Sequence, residues 1–181
     1  MPRLFTGIAI PDDIRQHLSL LRGGLRGARW IDVENYHLTL RFIGDIDGRI
    51  ADEIADRLAR VARRAFALTI TGIGAFGGRN PNAIIAEIGP SAELLELQAE
   101  HERMMQRLRL PADPRRYTPH ITLARLRGAD EREVATYLAL RGGFRAGPFG
   151  VDAFVLFSSR DSVGGGPYVE EAAYPLIARA A

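Results

Sequence analysis

Cysteine is absent from this chain of 181 residues, and so is lysine: all 24 basic residues are arginines. Without cysteine there is no disulfide, no thiolate nucleophile and no cysteine-held zinc. Without lysine there is no Schiff base, no enzyme–nucleotide adduct on an amine and no phosphate-loop lysine. Any phosphodiester chemistry must therefore run without covalent lysine. No apolar run approaches the ~20 residues that span a bilayer. The start, Met1-Pro2-Arg3-Leu4-Phe5, lacks the apolar core and small-residue cleavage site of a secretory signal. The expectation is a cytoplasmic protein without membrane association. An excess of one charge is missing too. The 24 basic and 22 acidic groups leave a net +2, too little for nonspecific attachment to long nucleic acid, although a local basic cleft stays open.

What is present suits a globular protein, with 46% hydrophobic and 25% charged residues. The length fits a single domain over 1–181, or two small lobes sharing a core. Leu4 to Ile10 reads as a strand. Pro11-Asp12-Asp13 then opens a helix whose Ile14, Leu18 and Leu21 share a face, and Gly23-Gly24 end it. Tyr36 to Ile43 reads as a strand, Asp47 to Arg64 as a helix and Phe66 to Ile73 as a strand. Gly72 to Asn82 is expected as a loop or bulged strand. The order then recurs. Ala83 to Ile88 is a strand, and Ser91 caps a helix to about Leu108. Pro111 to Pro114 is a rigid connector, and Thr118 to Leu126 is a strand. Asp130-Glu131-Arg132-Glu133 resembles a capping box. Val151 to Phe157 is a strand, Gly164 to Pro167 a flexible loop, and Tyr168 to Leu176 a last strand.

Both halves carry a short motif in a predicted strand: His37-Leu38-Thr39-Leu40 and His120-Ile121-Thr122-Leu123. The spacing, near half the chain, predicts two intertwined lobes related by an approximate two-fold axis, with the motif strands facing a central cleft. Strand alternation puts His37, Thr39 and Arg41 on one face and Tyr36, Leu38, Leu40 and Phe42 on the other. His120 and Thr122 likewise oppose Ile121 and Leu123. Imidazole can give or take a proton near neutrality, and threonine hydroxyls can donate to phosphate oxygens where charge accumulates. Two such pairs across a cleft suit in-line hydrolysis of a strained cyclic phosphate without a metal.

With its flanks, this pattern resembles the bacterial RNA 2′,3′-cyclic phosphodiesterases, historically called 2′-5′ RNA ligases, of the two-histidine phosphoesterase superfamily. The resemblance runs through Arg3-Leu4-Phe5, Trp30, Asn35 to Gly44, Thr118 to Arg125 and Tyr174-Pro175-Leu176. It implies an α+β bilobal fold, with two antiparallel sheets lining a central cleft and helices packed outside. It also implies hydrolysis of RNA cyclic phosphate ends to 2′-phosphates, with weak ATP-independent reversal. By carry-over His37 and His120 are catalytic, and Thr39, Thr122 and Arg125 bind phosphate. For release of the 3′-oxygen His37 is assigned as the proton donor and His120 as the acceptor, and the approximate two-fold symmetry leaves the reversed assignment open. The expected partner is an RNA end or oligonucleotide bearing the cyclic phosphate. No metal and no cofactor is expected, nothing marks a dedicated ATP or GTP site, and a monomer is the default.

Other residues are expected to be less central. Arg125 has the wrong parity for the cleft unless the strand bulges near Ala124. Arg41 has the right parity, as a phosphate ligand or a solvated rim charge. His17 and His101 are read as packing residues, Tyr36 and Phe42 as core. Trp30, Phe76 and Tyr168 are read as packed aromatics with base stacking as the alternative. Arg79, Arg115 and Arg116 are candidate RNA contacts. Two rival functions share these residues: hydrolysis of small cyclic phosphates or 2′-5′-linked oligonucleotides, and RNA binding without catalysis.

Overall fold

The computed structural model describes residues 3–159 and 166–178. The part of the expected glycine loop at 164–165 lies outside the described residues. Among the described residues nine strands form one antiparallel sheet: β1 (Arg3–Ala9), β2 (Ala28–Trp30), β3 (His37–Asp45), β4 (Phe66–Phe76), β5 (Ala83–Ile88), β6 (His120–Leu126), β7 (Ala146–Val151), β8 (Ala153–Ser159) and β9 (Tyr168–Pro175). Four α-helices cover it: α1 (Asp12–Ser19), α2 (Gly48–Leu58), α3 (Ala92–Arg107) and α4 (Glu131–Leu140). The mixed architecture is as expected. The two expected sheets are the halves of this one sheet.

Read outward from the middle, one half runs β3-β1-β8-β9 and the other β6-β5-β4-β7. The join is a single residue pair, Leu38 with Ile121. In sequence β4 follows β3 and α2, yet it pairs with β5. In the same way β8 follows β7 but pairs with β1. Each half therefore borrows its third strand from across the molecule, and no cut in the sequence separates them.

Helix starts follow local chemistry. The side chains of Asp47, Ser91 and Asp130 accept backbone N–H bonds from Ile50, Leu94 and both Arg132 and Glu133, each cap contributing about 1 kcal/mol. One core spans both halves. It includes Leu18 of α1, Ile54 and Leu58 of α2, Leu94, Leu97 and Met105 of α3, and Leu38, Ile84 and Ile121 of the sheet. No helix among the described residues is long and apolar enough to cross a membrane.

Several boundaries differ from expectation. Helix α2 ends at Leu58, not Arg64. The next residues are drawn away to Ile177, whose N–H donates to the Arg63 carbonyl and whose carbonyl accepts from Ala65. The glycine-rich stretch stays extended to Phe76, with Gly72 opposite Glu87 and Gly74 opposite Ile85. Gly74 leaves room for the Glu87 side chain, whose carboxylate oxygen would stand 2.6 Å from a Cβ there. The strand expected over Val151 to Phe157 is two strands, β7 and β8, separated at Asp152. Gly147, Pro148 and Gly150 disguise β7 in the sequence, but it lies at a sheet edge, where proline is tolerated.

Candidate active site

The decisive local feature is a bulge, present twice. In β3, Gly7 of β1 pairs with Thr39 and Thr6 with Arg41, so Leu40 has no partner. In β6, Ile85 of β5 pairs with Thr122 and Ile84 with Ala124, so Leu123 has none. Each bulge falls three residues after the histidine and inverts the alternation beyond it. Leu40 and Arg41 are buried in succession, as are Leu123 and Ala124. The next residues, Phe42 and Arg125, are turned to the open face.

Arg125 therefore joins His37, Thr39, His120 and Thr122 in lining one cavity of about 660 Å3. The bulge that Arg125 required is present. The parity expected for Arg41 and Phe42 is reversed. Arg41 is only 7% exposed. It is neither a phosphate ligand nor a rim charge but ion-pairs with Glu102 of α3 and donates to the carbonyls of Pro111 and Phe42. Phe42 is 45% exposed and lines the cavity, so it is not core.

Both histidines are held in the same way. The Nδ1 of His37 lies 2.8 Å from the Asn35 carbonyl oxygen, and that of His120 lies 2.6 Å from the Thr118 carbonyl oxygen. A carbonyl only accepts, so each Nδ1 carries the proton and each Nε2 keeps the working position. The Nε2 of His37 is 3.1 Å from the Thr39 hydroxyl oxygen. Asn35 also accepts from the Tyr168 N–H through its side chain. Gly166, with φ 101°, passes so close that a Cβ would stand 2.3 Å from Asn35 Nδ2. Only glycine fits both constraints.

Burial pushes His37 down to about 4, opposed by its bond to Asn35 and assisted by His120 and Arg125. Burial likewise lowers His120, opposed by Thr118 and assisted by Arg125 and Arg115. Aromatic rings supply much of the apolar wall. Tyr168 meets His37 edge-on at 4.8 Å, and Phe76 meets His120 edge-on at 4.7 Å.

Phe76 and Tyr168 thus both pack and line the cavity, whereas Trp30 packs on Tyr137. Arg115 lines the cavity, Arg116 lines an adjoining one that shares Thr39, Phe42, Phe76, Arg115 and His120 with it, and Arg79 lines neither. His101 is buried against Phe154, as expected of a packing residue. His17 is exposed, with only its ring resting on Phe144. Sequence reasoning passed over Asn82 and Phe5 as cavity residues; Asn82 follows Pro81 in the turn after β4, a weak signal by itself. Among the described residues no carboxylate lines this cavity, and none of them form a cluster of three or more His, Asp or Glu fit to grip a metal.

An RNA 2′,3′-cyclic phosphodiesterase of Aeropyrum pernix is 36% identical over 101 residues, 55% of this chain and 57% of that protein. One of Geobacillus stearothermophilus is 29% identical over 128 residues, 67% of this chain and 41% of that protein. The chain thus spans less than two thirds of either relative. Among solved structures, Escherichia coli LigT complexed with 3′-AMP aligns with a TM-score of 0.76 at 24% identity, over 97% of this chain and 99% of that one. The model of the family described as LigT like Phosphoesterase matches twice, over residues 8–86 and 88–168. With one histidine strand in each matched segment, the chain belongs to the LigT-like phosphoesterase family.

Proposed function

We propose that the protein hydrolyses the 2′,3′-cyclic phosphate at RNA ends to a 2′-phosphate, by general acid–base catalysis between His37 and His120. The observation that carries this is the matched pair of imidazoles, each held by a backbone carbonyl at Nδ1, in one cavity with two threonines and an arginine. A binding module has no use for two such oriented proton carriers. The names of the Aeropyrum and Geobacillus relatives point the same way.

In this reaction His120 takes a proton from water as it attacks phosphorus. The bond from phosphorus to the 3′-oxygen breaks, and His37 delivers a proton to that oxygen. Thr39 and Thr122 donate to the nonbridging oxygens, and Arg125 balances their charge. Burial leaves His37 neutral in an empty cleft at neutral pH. The substrate phosphate, an anion beside the ring, favours the imidazolium and so loads the acid. A 5′-hydroxyl in place of water would give weak 2′-5′ joining by the same steps. The proposed enzyme works as a cytoplasmic monomer, without metal or cofactor.

The test is a short RNA with a 2′,3′-cyclic phosphate, incubated with the protein in excess EDTA. A product bearing only 2′-phosphate supports the reaction as written. A 3′-phosphate reverses which oxygen leaves. No turnover with or without added divalent metal would sink the proposal.

A further inference from the structure

Arg29 of β2 stands directly opposite Arg125 of β6. Residues opposite one another in an antiparallel pair project to the same face. Arg125 lines the cavity, so Arg29 lies on the cavity side, just beyond the wall, and is exposed. An anion lying along this pair meets a guanidinium group on each strand.

The ladder runs one bond further, with the Arg127 N–H donating to the Gly27 carbonyl at 3.0 Å. Arg127, the residue after β6 ends, is exposed after the buried Leu126, just as Arg125 is exposed after the buried Ala124. Gly27 permits this close approach: a Cβ there would stand 2.7 Å from the Arg127 carbonyl oxygen. Other arginines around the cavity are engaged by carboxylates, Arg3 by Asp45 and Arg115 by Asp113. Among the described residues neither Arg125 nor Arg127 has such a partner. The opposite motif strand has no counterpart. Phe42 occupies the place of Arg125, and β3 pairs with β1 and β6, not with an arginine-bearing edge strand.

We infer that Arg29 and Arg127 extend the site at Arg125 into a phosphate track along the β2–β6 edge, which takes the backbone of a single-stranded RNA beyond the nucleotide in the cavity. Neighbouring strands are ~4.8 Å apart and alternate residues ~6.6 Å, so arginine side chains on this grid can hold consecutive phosphates. The track lies on one side of a nearly two-fold site, so it sets the direction in which the RNA leaves. This rests on the proposed reaction at the cavity.

The experiment compares wild type with the double variant Arg29→Gln/Arg127→Gln on two substrates, cytidine 2′,3′-cyclic phosphate and a hexaribonucleotide ending in that group, over a range of salt. Wild type is expected to favour the hexamer in kcat/KM, with the advantage shrinking as salt rises. The variant should turn over the mononucleotide normally and lose about tenfold of the advantage at low salt, its log–log salt slope flatter by about 1.4 for two lost phosphate contacts. An unchanged hexamer advantage, or an equal loss on both substrates, overturns the track. Binding of a fluorescein-labelled hexaribonucleotide with a 3′-phosphate, followed by anisotropy, separates the two proposals. If neither substrate turns over, the catalytic reading fails, and the track still stands or falls on whether the variant weakens this binding.

Discussion

Leu38 of β3 and Ile121 of β6 pair with one another, and through that pair the halves of the sheet are joined. Both side chains are fully buried. Each sits between a histidine and a threonine that face the other way, so the pairing of these two residues sets the two His-x-Thr motifs against each other. Leu38→Ala should cost about 2–5 kcal/mol, read from urea unfolding, and reduce turnover of the molecules that remain folded. A loss in stability with unaltered turnover would show that the motifs are aligned by something else.

The pH dependence follows from burial. The proposed reaction requires one histidine neutral and one protonated. Both are lowered, His37 to about 4. The two limbs of kcat/KM, which report the unliganded protein, should both fall below ~6.5, so its maximum lies on the acid side of that value. The alkaline limb of kcat should lie higher, because bound phosphate favours the imidazolium. A kcat/KM maximum above neutrality would contradict this.

The roles of the histidines can be separated by the leaving group. His37→Ala and His120→Ala should each lower kcat by about 10²–10⁴-fold. A substrate with sulfur in place of the 3′-bridging oxygen releases a thiolate that needs no proton. It should restore much of the rate to His37→Ala and little to His120→Ala. Rescue of His120→Ala instead would exchange acid and base.

The buried Arg41–Glu102 pair ties β3 to α3 and to the connector before the second motif, since Glu102 also accepts from the Asp113 N–H at 3.3 Å. Arg41→Met alone strands a largely buried carboxylate and should destabilise by about 3 kcal/mol. Arg41→Met with Glu102→Leu should recover most of that loss, because an apolar pair removes the stranded charge. Urea midpoints of the two single variants and the double variant would reveal a missing coupling.

His101 makes stability depend on pH. It is fully buried, shares a 2.9 Å hydrogen bond with Thr6 and is held at about 3 by burial. Between that value and the ordinary ~6.5, the unfolded chain binds a proton that the folded chain does not. Stability should therefore fall as pH drops through this window, by up to about 1.4 kcal/mol per unit. His101→Leu should flatten the slope between pH values of roughly 6.5 and 4.5, whatever it does to stability at neutral pH. An identical slope would remove His101 from the account.

The helix starts, the places along the chain of the described strands other than β2 and β7, and both His-x-Thr strands were determined by sequence alone. Their signals are local: a capping side chain three residues from its N–H, a two-residue alternation, a repeated tetrapeptide. Tertiary structure decided which side chains face the cavity beyond Thr39 and Thr122. That depends on where β1 and β5 skip Leu40 and Leu123, and a skip is a property of two strands, invisible in either one. It exchanged Arg41 for Phe42 and brought Arg125 inside. Partner choice is equally nonlocal. The pairing of β4 with β5 and of β8 with β1, the edge strand β7 and the opposition of Arg29 to Arg125 arise only when distant segments compete for the same sheet edges, because backbone hydrogen bonds are satisfied by whichever strand packing brings alongside.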